Sequence, residues 1–163
     1  MPNSNDAGAE PLVYGPMRAE HLDAVAAIEK VSFPTPWNRG HFEHELQRNP
    51  FSFNRVLRRG DHVVGYASVW ILDGELQVNK IALRPGERGK GLGRTLLEKV
   101  LQLARETRCR AVTLEVRPSN VAARNLYVAE GFHETGRRTD YYGSGEHAIL
   151  MRLDVVGPRA GGV

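Results

Sequence analysis

The run Leu83-Arg-Pro-Gly-Glu-Arg88-Gly-Lys-Gly-Leu-Gly93-Arg-Thr-Leu-Leu97 decides how this chain is read. Three glycines alternate at Gly89, Gly91 and Gly93. Leu92, Leu96, Leu97, Val100, Leu101 and Ala104 then recur at helical spacing. An extended segment therefore runs through a glycine turn into an amphipathic helix. Glycines let backbone N–H groups close on an anion, and a helix start adds unpaired donors and partial positive charge. Arg88, Lys90 and Arg94 bring formal charge to the same turn. A pyrophosphate is the natural guest, although glycines alone are equally compatible with a plain connection.

Two familiar phosphate loops fit less well. A P-loop needs Lys-Ser/Thr after its last glycine, and Arg94-Thr95 follows Gly93 instead. A dinucleotide fingerprint needs G-x-G-x-x-G and an acidic residue closing the next strand. Glu115 lies near that place, but three antiparallel-looking strands precede the loop, which disfavours this reading.

Working outward, Glu75–Leu83 reads as a strand closing a meander with Asn54–Arg59 and His62–Ile71. Turn signals separate them at Gly60-Asp61 and Asp73-Gly74. Upstream, Leu12–Arg18 reads as a short strand. A helix follows that carries Leu22, Val25, Ala26, Ile28 and Glu29 and stops before Pro34. Phe33-Pro-Thr-Pro-Trp37 is a stiff aromatic loop, because its two prolines forbid helix. Asn38 caps a second helix to about Arg48. Downstream, Ala111–Val116 is a β-branched strand, Ser119 or Asn120 opens a helix through Ala129, and Gly131 ends it. Strands at about Phe132–Tyr142 and Glu146–Asp154 flank the turn Tyr142-Gly-Ser-Gly145. The order β-α-α-β-β-β-α-β-α-β-β gives one α/β domain over 12–154, a mixed, largely antiparallel sheet with flanking helices. Residues 1–11 and 155–163 read as disordered tails.

A length of 163 residues suits one domain with one core, and a net charge of +3 argues for no particular partner. No basic run with interleaved aromatics points to direct nucleic-acid contact. The polar start has no signal-peptide pattern, no apolar run reaches membrane-spanning length, and the expected compartment is the cytoplasm. The single Cys109 precludes an internal disulfide and reads as a small core or edge residue. Six scattered histidines suggest no metal; His41 and His44 share a helix face that solvation explains.

Several ordered motifs together resemble the GNAT superfamily of N-acetyltransferases, and within it the RimI-type ribosomal-protein-alanine N-acetyltransferases. They are Arg88-x-x-Gly91-x-Gly93, Ile81-Ala82-Leu83, Leu114-Glu-Val-Arg-Pro-Ser-Asn120, Ala122-Ala123, Leu126-Tyr127 and Glu130-Gly-Phe132. The match runs from about Val13 to Leu153. It implies acetyl-CoA as cosubstrate, with no metal. The pyrophosphate would be held at Arg88, Gly89, Lys90, Gly91, Leu92, Gly93 and Arg94, the pantetheine arm along Ile81, Ala82 and Leu83, and Asn120 would add a contact. It implies Glu115 as general base and Tyr127 as general acid, for which solvated-strand and core-packing readings are the plain alternatives.

Phe33-Pro-x-Pro-Trp37 resembles the loop bordering the acceptor, and Arg137-Arg138 and Tyr141-Tyr142 with Glu146-x-Ala148 resemble the paired-tyrosine strand ending. Trp37, Tyr141, Tyr142 and Glu146 would thus frame a protein N-terminus, with a ribosomal protein as partner. Lys80, His147 and Thr139-Asp140 depart from that pattern, all near the presumed acceptor side. Acetylation of a small amine or lysine side chain, and a non-catalytic CoA-binding module, remain alternatives.

Overall fold

The computed structural model describes residues 10–139 and 147–155. The elements are β1 (Leu12–Pro16), α1 (Leu22–Ser32), α2 (Arg39–Gln47), β2 (Ser52–Arg59), β3 (His62–Leu72), β4 (Glu75–Leu83), α3 (Leu92–Glu106), β5 (Ala111–Val116), α4 (Val121–Ala129), β6 (His133–Arg138) and β7 (Ala148–Asp154). The order matches the sequence expectation. Short 3₁₀ turns at Ala19–His21 and Pro85–Glu87 add to it. The expected tails lie almost wholly outside the described residues, as does the Tyr142–Gly145 turn.

Local chemistry explains the boundaries. Asn38 accepts from the His41 N–H at 2.9 Å and Asn120 from the Ala123 N–H at 3.2 Å, each capping the helix that follows. Asp73 (φ 53°) and Gly74 (φ 76°) are both left-handed, the two-residue hairpin geometry that matches strand twist. Gly131 takes φ 100° just beyond α4, where a Cβ would be strained. Cys109 is buried in the core.

The seven strands form one sheet in the order β1-β2-β3-β4-β5-β7-β6. Every pairing is antiparallel except β4–β5. On one face Leu97, Val100, Leu101 and Ala104 of α3 and Tyr127 of α4 pack against Leu76, Val78, Val112, Leu114, Val116, Ile149 and Met151. On the other face Leu22, Val25 and Ile28 of α1 and Phe42 of α2 pack against Val56 and Tyr66. No helix among the described residues is long and apolar enough to cross a membrane.

The feature that makes a site is where β4 and β5 part. They pair only from Glu75–Ala111 to Val78–Leu114. In the β3–β4 ladder Val69 opposes Val78 and Ser68 opposes Lys80, so Asn79 is an extra, bulged residue. A bulge bends its strand. β4 veers off while β5 continues beside β7 through Glu115–Leu150 and Val116–Ile149. A wedge opens between Asn79–Leu83 and Glu115–Val116.

Gly65 lets β3 lie close under this wedge. A Cβ there would sit 2.8 Å from Leu83 Cδ2, 3.0 Å from the Ala82 carbonyl oxygen and 3.0 Å from Leu96 Cδ1. Gly65→Ala is therefore expected to destabilise by about 1–3 kcal/mol through overpacking. Calorimetry should show Tm lower by roughly 2–4 °C per kcal/mol.

Candidate active site

The wedge meets the glycine turn at the N-terminus of α3. Gly89 (φ 77°) and Gly91 (φ 81°) are left-handed, and Gly91 is the N-cap. The first intrahelical bond runs from the Thr95 N–H to the Gly91 carbonyl at 3.2 Å. The N–H groups of Leu92, Gly93 and Arg94 precede it and are the orphan donors of the helix start. A Cβ on Gly89 or Gly91 would meet nothing within 4 Å, so the turn borders open space. Gly93 instead packs backward, its virtual Cβ 3.5 Å from Leu126 Cδ2. Successive peptide donors beside open space suit a diphosphate.

The basic side chains are more engaged than the sequence suggests. Arg88 donates to Ser32 Oγ at 3.0 Å and to the Leu83 carbonyl at 3.3 Å, tying the end of α1 to the end of β4. Lys90 lies 3.6 Å from Glu87, and Arg94 lies 3.2 Å from Glu98 and 3.0 Å from Glu130. Peptide dipoles, more than free cations, define this cradle. Ile81, Ala82 and Leu83 lie on the splayed part of β4, beyond its pairing with β5. Asn120 is exposed at its cap position.

Glu115 lies on the far side of the wedge. Its neighbours Leu114 and Val116 are buried against the α3–α4 face, so alternation points Glu115 to the α1–α2 face. Its carboxylate lies 3.3 Å from Arg138 Nη2. Tyr127 packs on the α3–α4 face, 5% exposed, its ring 5.7 Å from that of Phe132. The carboxylate and the phenol-bearing ring thus lie on opposite faces of the sheet.

The α1–α2 loop covers the Glu115 face. Glu29, wholly buried, accepts from Tyr66 Oη at 2.8 Å and from the Trp37 N–H at 3.4 Å. Burial first, and then the Glu29 charge, hold the Tyr66 phenol far above its ordinary pKa, so it remains a donor. Lys80 pairs with Glu29 at 3.3 Å and lies over the rings of Phe33 (4.2 Å) and Trp37 (5.2 Å). Asn79, at the bulge, accepts from Gln77 Nε2 at 3.0 Å while its own Nδ2 is buried without a partner.

Sequence reading passed over Tyr66 and Asn79 and gave Glu29 no role. Glu29 had a signal, since it continues the apolar stripe of Leu22, Val25 and Ile28 on α1. Asn79 had none, because a bulge is a property of strand register. Tyr141, Tyr142 and Glu146 lie outside the described residues. His147 lies at the edge of that gap, and its buried Nδ1 has no partner.

Residues 22–132 match the family model described as Acetyltransferase (GNAT) family. This chain belongs to the GNAT family. It is an acetyl-CoA-dependent N-acetyltransferase. A Bacillus subtilis (strain 168) protein named "Putative ribosomal protein bS18-alanine N-acetyltransferase" is 40% identical over 140 residues, 85% of this chain and 93% of that protein. The "N-alpha-acetyltransferase RimI" of Mycobacterium tuberculosis is 36% identical over 155 residues, 91% of this chain and 96% of its own length. Among solved structures, the ribosomal-protein-S18-alanine N-acetyltransferase of Escherichia coli superposes with a TM-score of 0.83 at 26% identity, covering 94% of this GNAT chain and 99% of that one.

The glycine turn gives an internally controlled test. Gly86, Gly89 and Gly91 all have open space where a Cβ would go, but only Gly89 and Gly91 are left-handed. Gly89→Ala and Gly91→Ala should each strain the turn by roughly 1–2 kcal/mol and raise the KM for acetyl-CoA severalfold. Gly86→Ala should leave it unchanged. Steady-state kinetics with acetyl-CoA as the varied substrate reads the contrast.

Proposed function

We propose that this enzyme acetylates the N-terminal α-amine of a protein, and that the acceptor is the N-terminal alanine of a small-subunit ribosomal protein, met in the cytoplasm. The observation that carries the reading is Glu115, at the wedge, on the sheet face away from α3 and α4. A thioester anchored at the α3 turn would enter along β4, and an amine arriving from the α1–α2 face would meet Glu115 first. The names borne by the relatives at 40% and 36% identity support the choice of acceptor.

The chemistry asked of the chain is modest. An α-amine has a pKa of about 7.7–8.0, so a sizeable fraction is neutral near pH 7. Glu115, positioned by Arg138, takes the proton the amine loses as the N–C bond forms, directly or through one water. The C–S bond breaks, and Tyr127 returns a proton to the departing sulfur. Acetyl-CoA supplies the activated acyl group. The splayed edge of β4 offers backbone groups to its pantetheine arm, and the α3 turn offers N–H donors to its diphosphate. Asn79 Nδ2, a buried donor without a partner at the same opening, would find one in a carbonyl of either substrate. Trp37 borders the acceptor approach; Tyr141, Tyr142 and Glu146, outside the described residues, are proposed as acceptor contacts on the family resemblance.

Acetylation followed by mass spectrometry tests the assignment on an Ala-starting ribosomal peptide, its N-blocked form and polyamines. Only the free N-terminus should be modified. Activity confined to polyamines would overturn the acceptor class. Glu115→Gln is expected to lower kcat by about 10²–10⁴-fold. Tyr127→Phe should lower kcat while preserving acetyl-CoA binding, and an undiminished kcat would remove the phenol from proton transfer.

A further inference from the structure

Lys80 is a cation that the acyl transfer itself does not use. Its side chain is 12% exposed, and its ammonium is shared among three groups of one loop-and-helix unit: the Glu29 carboxylate at 3.3 Å, the Phe33 ring at 4.2 Å and the Trp37 ring at 5.2 Å. The loop it touches is poor in backbone donors, although the Phe33 N–H bonds to the Glu29 carbonyl at 3.1 Å and the Trp37 ring packs against His41 and Phe42. Pro34 and Pro36 carry no N–H, and the Trp37 N–H is bonded to Glu29 Oε2, the same oxygen that pairs with Lys80. Across the β3–β4 ladder Lys80 opposes Ser68, whose hydroxyl is engaged with Asn54 Oδ1 at 2.6 Å. Glu29 is thus the acidic partner of this ammonium, and two ring faces are its roof. Lys80 also stands next to the bulge at Asn79, at the root of the wedge.

We propose that Lys80 is a positioning residue for the acceptor: with Glu29 it clamps the Phe33–Trp37 loop onto β4 and so fixes the wall against which the acceptor's first residues dock. The inference rests on the reading above that the acceptor approaches on the Glu115 face. A cation held over two rings attracts both through their quadrupoles, and the attraction grows as water is excluded. A neutral side chain of similar length fills the space but cannot hold the rings. An arginine can do both, since it pairs with carboxylates and stacks on aromatics. A base or acid role is disfavoured by the same geometry, because the ammonium is paired with Glu29 and covered by two rings.

The experiment compares Lys80→Met, Lys80→Arg and the double variant Glu29→Gln/Lys80→Met, the last leaving no buried carboxylate without its cation should Lys80→Met alone fold poorly. Kinetics use the Ala-starting peptide, and hydrogen exchange follows the backbone of residues 33–38 in every variant. The acceptor KM should rise about tenfold in Lys80→Met and in the double variant, the amount expected from losing a largely desolvated cation–π contact. The KM for acetyl-CoA and the pH profile of kcat should not move. The Trp37 amide should exchange faster, and Lys80→Arg should restore both acceptor KM and protection. An unchanged acceptor KM in the double variant, with wild-type exchange across the loop, overturns the clamp. A fall in kcat with a lost limb of the pH profile overturns it in favour of proton transfer. Should the unmodified enzyme acetylate no peptide N-terminus, the proposed function fails, and the exchange comparison alone decides whether Lys80 holds the loop.

Discussion

Two strands that pair for four residues and then separate govern this molecule. From Glu75–Ala111 to Val78–Leu114 the only parallel ladder of the described sheet holds β4 to β5. Beyond it, the extra residue Asn79 bends β4 away while β5 keeps its bonds to β7. A closed sheet at this point would have satisfied every backbone group and left no room for a substrate. The bulge relocates those groups to the walls of a wedge, where an extended ligand can pair with them. It also leaves a buried amide nitrogen on Asn79 without a partner, a cost a sheet carries only where something else is gained.

The two faces at the wedge are built differently. On the α3–α4 face the contacts are apolar, and Tyr127 belongs to the same cluster as Leu114 and Val116. On the α1–α2 face a buried carboxylate organises the surroundings. Glu29 gathers the Tyr66 hydroxyl, the Trp37 N–H and the Lys80 ammonium. Taking such a carboxylate out of water costs several kcal/mol unless its oxygens are bonded and its charge is paired, and here both conditions hold. The proline-rich loop, poor in donors of its own, gains from this arrangement a fixed position relative to β4. Arg88 acts in the same direction from the other end, joining Ser32 at the close of α1 to the Leu83 carbonyl at the close of β4.

The glycine turn at the start of α3 shows how a candidate anion cradle can be built from backbone alone. Lys90 and Arg94 each have acidic neighbours, so their charge is partly answered within the protein. What remains directed at the open space is the set of N–H groups at the start of α3, aimed by two left-handed glycines. Peptide dipoles fixed by a helix need no reorganisation when a diphosphate arrives, whereas long exposed side chains must be ordered first.

Much of the architecture was legible in the chain before folding. Strand alternation, the Asp73-Gly74 turn, the caps at Asn38 and Asn120 and the glycine turn before α3 are local, and they set element order, the boundaries of β4 and β5, and the start of α3. The GNAT resemblance in Leu114–Val116 and Leu126-Tyr127 was legible too. Where side chains meet across the sheet was not. That β7 inserts between β5 and β6, that Asn79 is the bulged residue, that Glu115 and Tyr127 lie on opposite faces of the sheet, and that Lys80 finds Glu29 and two aromatic rings were settled only in three dimensions. Local structure follows from spacing and turn chemistry within a few residues. Register, burial and charge pairing depend on residues far apart in the chain, such as Glu29 and Lys80, whose separation no periodicity encodes.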